Sequence, residues 1–397
     1  MKLLFVKDEL AWPRVSGHDV HCFNMMRAMA RRGHEISLLT VVEAKPEALA
    51  GIKLVFQGTL LGATNRGTSV PRESILQRKF RSYWGVPSNY AGIVNDVARE
   101  IDADAVIAVG ITVLPWLSEI EDRGRIWYAA DEWMWHHISQ VKLRRLATFR
   151  EFREGAIKAL YERAFRNKLD RVWVVTDADR RAMRVVSGVK SIDVVPNGVD
   201  TDLYAPAQCA QQRNSCTFWG RLDFGPNIQA LEWFLGRVWP IVRRQVPDAA
   251  FRVMGFNPTQ EVRRLLGCDG VELVQDLPDL RSAVCAQQLV VLPFVSGGGV
   301  KNKFLEAASM GLPIVCSSRA LNGLRSPNEI GAYVVNSKQE WVNVLVDLWA
   351  DGARRLDSGA AARQWAIRFH AWDASASIAE EGLRETVGSV RRLLRNA

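Results

Sequence analysis

Short, continuous apolar runs alternate with segments of helical periodicity along the first half of the chain. The apolar run at 2–6 is followed, after a loop at 11–17, by Val20, Phe23 and Met26 at helical spacing. Such runs predict further strands at 36–42, 53–56, 105–109, 125–129 and 171–175. Buried strands separated by helices are typical of a parallel sheet covered on both faces, which binds ligands at the carboxyl ends of its strands.

The same alternation begins again after Asp200. Apolar runs there predict strands at 216–219, 251–254, 271–274, 289–293 and 313–316. The segment 201–214 between the halves is polar and contains proline, which suits a linker, and 361–395 has a helical pattern broken near 370–373. The predicted fold class is therefore α/β, with two Rossmann-like, doubly wound parallel-sheet domains that face a cleft.

Length and composition agree with two globular domains. The chain has 397 residues, 48% of them hydrophobic and 24% charged, which is enough for two buried cores. The net charge of +9 favours an anionic partner. A nucleotide sugar, a lipid diphosphate, a membrane face and a nucleic acid would all satisfy that charge.

The lack of a recognisable targeting signal and the spacing of the cysteines favour a cytoplasmic location. No stretch combines a charged start, an apolar core and a cleavage site, and the longest apolar run, 105–117, is too short to span a bilayer. The six cysteines have neither paired nor metal-like spacing, which favours reduced thiols. We expect a cytoplasmic chain, either soluble or peripheral on the inner face of the membrane.

The segment 290–316 is the most informative in the chain. It has the pattern of a buried strand, a glycine loop at Gly297–Gly299, a short helix and a second buried strand. Backbone N–H groups and the helix dipole at such a loop suit a phosphate, and Lys301 and Lys303 add two positive charges. Glu306 follows Lys303 by three residues and so lies on the same helix face, where it could bind sugar or ribose hydroxyls. A solvated Lys–Glu pair after a tight turn is the alternative.

Several motifs in order carry a resemblance to a known family. They are Gly33-His34-Glu35, Val194-Val195-Pro196-Asn197-Gly198-Val199-Asp200, Phe218-Trp219-Gly220-Arg221-Leu222, Leu305-Glu306-Ala307 and Gly311-Leu312-Pro313. Together they resemble the GT-B glycosyltransferases of family 4, the large retaining group 1 family. The resemblance implies an acceptor-side domain at 1–195, completed by a C-terminal helix at 375–397, and a nucleotide-sugar donor domain at 196–374.

The family's donor site is carried over residue by residue. The resemblance implies a nucleotide diphosphate sugar as donor substrate, no required cofactor and no metal. It assigns stabilisation of the leaving diphosphate to Arg221, Lys303 and the backbone of Gly298, Gly299 and Val300. Gly220 belongs to the phosphate loop, and Glu306 binds the ribose of the nucleotide.

Two further positions come from the first domain. Gly17 stands where the family has glycines against the donor diphosphate, and the neighbouring His18 either contacts substrate or begins a helix. Asp131, after a predicted strand, is expected to be catalytic or to orient the acceptor. We predict no metal site, because Asp, Glu, His and Cys have no ligand-like spacing and adjacent histidines such as His136 and His137 diverge on a helix.

The chain departs from the family pattern in two places. A pair of glutamates separated by seven residues is frequent in the family, and Gly298 stands where the first would be. The family's lysine after Gly220-Arg221 is absent from Asp223–Asn227, so Lys301 or Lys303 could supply the charge. Nucleotide binding is therefore expected, while the choice of sugar stays open.

Basic residues interleave with apolar ones at 72–90 and in a long helical pattern at 141–171. Such segments either lie on an anionic membrane or form core helices with a solvated basic face. Their place in the first domain would suit a lipid-linked or membrane-borne acceptor.

The function expected from these observations is retaining glycosyl transfer to a glycan or lipid-linked acceptor in cell-surface polysaccharide or glycolipid synthesis. Gly298 motivates an alternative, a non-catalytic nucleotide-binding subunit that assists a partner transferase. A sugar-nucleotide epimerase on the same fold is a second alternative. We expect no nucleic-acid partner, since the charge is spread along the chain and no known nucleic-acid module is present.

Overall fold

The computed structural model describes residues 1–13, 17–61, 73–87, 89–130, 147–277, 279–297 and 299–396, with the backbone alone at 147–152. The chain divides into two compact units. Unit 1 comprises 1–197 and 372–397, and unit 2 comprises 198–371. The domain boundaries expected from the sequence, after 195 and after 374, lie close to these divisions.

Unit 1 contains a parallel sheet of seven strands. In chain order they are β1 (Lys2–Lys7), β2 (Glu35–Thr40), β3 (Leu54–Thr59), β4 (Ala105–Val109), β5 (Gly124–Ala130), β6 (Arg171–Val174) and β7 (Ile192–Val194). Their spatial order is β3-β2-β1-β4-β5-β6-β7. The order therefore reverses between β1 and β4, which is the topological switch point of a doubly wound sheet.

Helices cover both faces of this sheet. They are α1 (Gly17–Arg31), α2 (Ile75–Tyr83), α3 (Tyr90–Glu100), α4 (Ala147–Phe165), α5 (Asp177–Val186) and, from the end of the chain, α13 (Trp372–Asn396). Two hydrophobic clusters result, one on each face of the sheet. The inner strands are buried on both faces and so appear in the sequence as continuous apolar runs, whereas the edge strand β3 alternates between partly buried and exposed residues.

An ion cluster attaches the C-terminal helix α13 to unit 1. Glu380 accepts from Arg32 at 2.6 Å and from Arg384 at 2.5 Å, and hydrogen bonds from Arg384 and Arg32 lower its pKa to about 2. The hydroxyl of Ser375 donates to the carbonyl oxygen of Pro196 at 2.8 Å. The last helix of the chain therefore completes the fold of the first unit.

Unit 2 repeats the architecture with six parallel strands. They are β8 (Gln212–Arg221), β9 (Ala250–Phe256), β10 (Val271–Gln275), β11 (Gln287–Leu292), β12 (Ile314–Cys316) and β13 (Tyr333–Val334), in the spatial order β10-β9-β8-β11-β12-β13. The helices are α6 (Gly225–Arg237), α7 (Trp239–Gln245), α8 (Gln260–Leu265), α9 (Arg281–Cys285), α10 (Asn302–Ser309), α11 (Lys338–Ala350) and α12 (Gly352–His370). Here the switch point lies between β8 and β11.

The predicted pair of parallel sheets is confirmed, and the differences are local. β7 and β13 were not predicted, because they have only three and two residues, and Asp193 interrupts the apolar residues of β7. The helix predicted at 141–171 extends too far at its C-terminal end. α4 ends at Phe165, a 3-10 turn follows, and Leu169 is extended. No helix in the described part of the chain is both long and apolar enough to cross a membrane.

Candidate donor site in unit 2

The candidate site of unit 2 forms where β8 and β11 end. These two strands pair in parallel, so Gly220-Arg221 at the end of β8 lies at the same sheet edge as the loop that follows β11. That loop contains Gly297 and Gly299, both with positive φ, and leads into α10. The carboxyl edge of the sheet at its switch point is where parallel α/β folds bind ligands.

Lys303, in the first turn of α10, is at the centre of the site. Its ammonium donates to Oδ1 of Asn227 at 2.8 Å, and it lies 4.1 Å from the centroid of the Phe218 ring and 5.2 Å from that of Phe294. The amide Nδ2 of Asn227 in turn donates to the carbonyl oxygen of Arg221 at 2.7 Å. The aromatic faces attract the cation while the amide fixes its position.

Glycine at position 220 is required by this arrangement. Gly220 has φ +135°, a conformation that other residues rarely adopt, and a Cβ added there would lie 2.9 Å from Nζ of Lys303. A Cβ at its β9 neighbour Gly255 would overlap the carbonyl group of Gly220. The absence of both side chains therefore lets the lysine reach the end of β8.

Burial disfavours the charged forms of the two lysines of the site. Removal from water lowers the pKa of Lys303 to about 7; the nearby Glu306 opposes this shift and Lys301 adds to it. Removal from water also lowers the pKa of Lys301 to about 8, with repulsion from Arg319 in the same direction. An anion bound between the lysines would favour their charged forms.

Lys301 also fastens the glycine loop. Its ammonium donates to the carbonyl oxygens of Gly297 at 3.2 Å and Gly299 at 3.0 Å. A Cβ on Gly297 would touch Pro226 at 3.1 Å, so the loop runs close to the start of α6. Val300 is partly buried against the core of unit 2.

Glu306 lies one turn beyond Lys303 on α10. The indole Nε1 of Trp219 donates to its Oε2 at 2.9 Å, and the hydroxyl of Tyr204 also hydrogen bonds to the carboxylate. Burial raises the pKa of Glu306, and the bond from Trp219, the charge of Lys303 and the bond from Tyr204 oppose this rise. The carboxylate is therefore held by neutral donors beside a cation.

Arg221 points away from this cluster. Its guanidinium forms a two-point ion pair with Asp223, with both N–O distances at 3.0 Å, and its side chain is 59% exposed. The hydrogen bond and charge of Asp223 raise the pKa of Arg221. Only the backbone carbonyl of Arg221 takes part in the network around Lys303.

Of the three other expected site residues, two have no described position and one lies in unit 1. Gly298 and Asp131 fall outside the part of the chain that the structure describes. Gly17 begins α1 in unit 1, and the neighbouring His18 lies with Nε2 3.5 Å from the carbonyl oxygen of Ala129. The structure therefore brings together Gly220, Gly299, Val300, Lys303 and Glu306 with the backbone of Arg221.

Unit 1 has a polar cluster of its own at its switch point. Lys7, at the end of β1, is buried and forms an ion pair with the buried Asp19 at 2.8 Å. Asp8 accepts from the Thr112 hydroxyl at 3.1 Å. Burial opposes the charge on Lys7, but Asp8, Asp19 and Cys22 together raise its pKa. Within the described ranges, no three His, Cys, Asp or Glu residues are grouped to hold a metal ion.

The sequence did not single out five contributors to the donor site: Asn227, Phe218, Phe294, Trp219 and Tyr204. Phe218 and Trp219 stand inside a recognised motif, yet nothing in the motif shows that their rings face Lys303 and Glu306. Asn227 lies in the segment from which the family's lysine is absent. The ammonium of Lys303, which comes from another element, donates to the side chain of Asn227.

Comparisons with known proteins agree with this geometry. The family model described as Glycosyltransferase Family 4 matches residues 15–203, and the model described as Glycosyl transferases group 1 matches 213–351. These two matches cover most of both units. The chain belongs to the group 1, family 4 glycosyltransferases.

A curated relative is the GDP-mannose-dependent alpha-(1-6)-phosphatidylinositol monomannoside mannosyltransferase of Mycobacterium tuberculosis. It is 26% identical over 220 residues, which are 49% of this chain and 56% of that protein. The chain thus spans about half the length of this curated relative.

Solved structures show the same fold over the whole chain. Sucrose-phosphate synthase from Thermosynechococcus elongatus is 16% identical with a TM-score of 0.64, covering 98% of this chain and 100% of that one. Anabaena HepE in complex with UDP and glucose is 14% identical with a TM-score of 0.61, covering 97% and 99%. These neighbours are glycosyltransferases of the GT-B fold, and the fold of this chain is therefore GT-B.

The charge state of Lys303 predicts a pH dependence of anion binding. We expect the affinity for a nucleotide sugar to fall as the pH rises above about 7, because Lys303 then loses its proton. The decline approaches tenfold per pH unit where binding requires that proton. Titration calorimetry from pH 6 to 9 measures it.

The matched variants for this prediction are Lys303→Met and Lys301→Met, which keep an apolar stem and remove the charge. Lys303→Met should bind weakly and lose the decline that begins near pH 7. Lys301→Met should retain a decline, because Lys303 is still present, but its onset should move upward, because the repulsion by which Lys301 lowers the pKa of Lys303 is gone. An unaltered protein whose affinity is constant from pH 6 to 9 would contradict the assignment.

Proposed function

We propose that the protein is a retaining, metal-independent glycosyltransferase that moves a sugar from a nucleotide diphosphate sugar to a glycan or lipid-linked acceptor. The observation that carries this proposal is the Lys303 ammonium held over Phe218 and beside Asn227 at the switch point of unit 2. A cation in that position, at the positive end of the α10 helix dipole, suits a diphosphate leaving group.

The donor and pathway draw on the comparisons. The mycobacterial relative is named for GDP-mannose and a phosphatidylinositol mannoside, and the HepE structures contain UDP and UDP-glucose. We therefore propose a nucleotide diphosphate sugar as donor and synthesis of a cell-surface polysaccharide or glycolipid as the pathway. In this proposal unit 2 binds the donor and unit 1 binds the acceptor, with Gly17 near the diphosphate and Asp131 orienting the acceptor.

A screen for the donor tests this proposal directly. We expect one nucleotide and its sugar conjugate, among those of uridine, guanosine, adenosine and cytidine, to raise the melting temperature. The rise should persist in EDTA. The activity is measured as transfer or slow hydrolysis of the same conjugate, and the release of the nucleotide diphosphate is the signal that is monitored.

The screen separates the alternatives. Binding without transfer or hydrolysis would favour the non-catalytic subunit that Gly298 suggests, particularly if Gly298→Glu gains hydrolysis. Interconversion of two sugar nucleotides would identify an epimerase. No stabilisation by any nucleotide would overturn the proposed function.

Arg221 is proposed to act on the departing diphosphate. For this its guanidinium must leave Asp223, with which it is paired at the surface. Arg221→Ala should therefore lower kcat by about 10²- to 10³-fold while changing KM much less. Steady-state kinetics with the donor found in the screen measure both constants.

Arg252→Ala is the matched control for Arg221→Ala. Arg252 lies on the neighbouring strand β9 and forms a comparable surface ion pair with Glu272, at 2.6 Å. Its loss should leave both constants unchanged. A higher KM with unaltered kcat in Arg221→Ala would show that the arginine binds donor without assisting departure.

A membrane-borne acceptor is the finer part of the proposal, and α2 supports it. Gln77 on its inner side is buried and donates to the carbonyl oxygen of Ala164 at 2.8 Å. Its outer side exposes Ile75 by 81%, Leu76 by 59% and Tyr83 by 54%. Basic residues such as Lys79 lie on the same exposed side. Apolar side chains among exposed cations complement an anionic lipid surface.

Sedimentation with vesicles tests this face. The protein should bind phosphatidylglycerol-containing vesicles, and Leu76→Ser with Lys79→Glu should weaken binding at least tenfold, because an apolar anchor and two units of charge are lost. The control pair is Val185→Ser with Arg184→Glu on α5, where Val185 is 80% exposed. Equal effects of both pairs, or equal binding to neutral vesicles, would contradict a specific membrane face.

A further inference from the structure

The carboxylate of Glu306 has an unusual set of partners for a group that meets a ligand. Trp219 donates to it through Nε1 at 2.9 Å, and Tyr204 donates through its hydroxyl. Neither donor carries a charge or changes protonation near neutral pH, since burial and the neighbouring Glu306 raise the pKa of Tyr204. The carboxylate is thus held by bonds that persist when the charge of Lys303 changes.

Both donors are fixed by their own surroundings. The Trp219 side chain is 5% exposed and belongs to the hydrophobic core of unit 2 at the end of β8. Tyr204 accepts from the Ser309 hydroxyl at 2.8 Å through its carbonyl oxygen, which attaches its backbone to the end of α10. Two elements outside α10 therefore determine where the Glu306 oxygens lie.

An ionised carboxylate has about four acceptor positions. Two are used by Trp219 and Tyr204, and the others are available to hydroxyl groups of a ligand. A carboxylate on a free helix side chain would have to lose rotamer freedom before it could accept two neighbouring hydroxyls. Prior fixation by the indole removes that cost.

We propose that Trp219 is a positioning residue, whose indole N–H holds the Glu306 carboxylate in the orientation and charge state that accept the hydroxyls of a bound nucleotide sugar. Tyr204 has the same role from the linker segment. The inference rests on the proposed function, because it takes a nucleotide sugar as the ligand of Glu306.

The charged and titratable groups around this carboxylate lie on several elements of unit 2. Lys303 lies on α10, Lys301 is the N-cap residue of that helix, and Tyr204 lies on the linker. Asp200, Asp279 and Arg281 act on Tyr204. Burial lowers the pKa of Lys303 to about 7 and raises that of Tyr204. Protonation of Lys303 strengthens anion binding and Tyr204 is already protonated, so among the groups that act on Glu306 directly, weaker binding in acid reports on Glu306 itself.

The test is the pH dependence of nucleotide-sugar binding in Trp219→Phe, which keeps an aromatic ring and removes the N–H. A hydrogen bond to the charged form lowers the pKa of a carboxyl group, so its loss should move the acid midpoint of binding upward by about one pH unit. Tyr204→Phe should move it in the same direction. An intact nucleotide sugar is the probe, because its diphosphate lacks the terminal phosphate ionisation near pH 6 that a free nucleotide would add.

Two controls separate positioning from general loss of structure. Trp239→Phe removes an indole bond of similar length, from Nε1 to the carbonyl oxygen of Asp269 at 3.0 Å, and should leave the acid midpoint in place. In a Glu306→Gln background there is no carboxyl group at 306 to titrate, so the acid limb assigned to Glu306 should be absent, and Trp219→Phe should not shift any acid limb that remains. Circular dichroism at each pH verifies that the variants are folded.

The outcomes separate the inference from the function on which it rests. An unchanged midpoint in both Trp219→Phe and Tyr204→Phe, with clear binding by the unaltered protein, overturns the inference alone. The same upward shift in the Glu306→Gln background overturns it too, because the shift would then arise elsewhere. Absence of nucleotide-sugar binding by the unaltered protein overturns the proposed function, and the inference with it.

Discussion

The parallel pairing of β8 with β11 is the constraint on which the candidate site depends. It makes both strands end at one edge of the sheet, and the strand order reverses between them. The connections from the two strands therefore leave in opposite directions, to α6 and to α10, and leave a gap between them. Asn227 enters that gap from one side and Lys303 from the other, where their side chains meet. The chemistry of the site is thus a result of topology before it is a result of individual residues.

Burial then influences the charge states of the side chains in the site. Lys303 and Glu306 are one helical turn apart, and removal from water disfavours the charged form of each. Each also stabilises the charge of the other, and neutral or aromatic neighbours complete their surroundings. The result is a pair of weakly hydrated charges whose states depend on what else is bound, unlike the surface pair of Arg221 and Asp223, whose members are solvated and stabilise each other without a ligand. A diphosphate entering beside Lys303 would meet a cation that already lacks part of its water shell.

Most of the fold could be predicted from the sequence because parallel strands buried on both faces are continuous apolar runs. β7 and β13 escaped prediction because strands of three and two residues are too short to stand out as apolar runs. In the site, Lys303 and Glu306 were accessible from spacing on one helix. Phe218, Trp219 and Asn227 were not, since their contacts with α10 join residues that are far apart in the sequence. The bond from Trp219 to Glu306 spans 87 positions, and the bond from Lys303 to Asn227 spans 76. The ion pair of Arg221 with Asp223, only two residues away, was not predicted either, because two oppositely charged residues at that spacing can as well be separately solvated.

The two facing glycines at 220 and 255 have a consequence for the freedom of this sequence to change. A side chain at Gly255 would overlap the carbonyl group of Gly220, and one at Gly220 would displace the Lys303 ammonium. The obstruction at Gly255 is backbone and cannot move aside. The obstruction at Gly220 is the ammonium of Lys303, and moving it would break the contact of Lys303 with Asn227. A laboratory library aimed at new donors would therefore lose nearly every member mutated at these positions. Diversity in such a library is better placed at positions that contact neither glycine, so that the contact between Lys303 and Asn227 is kept.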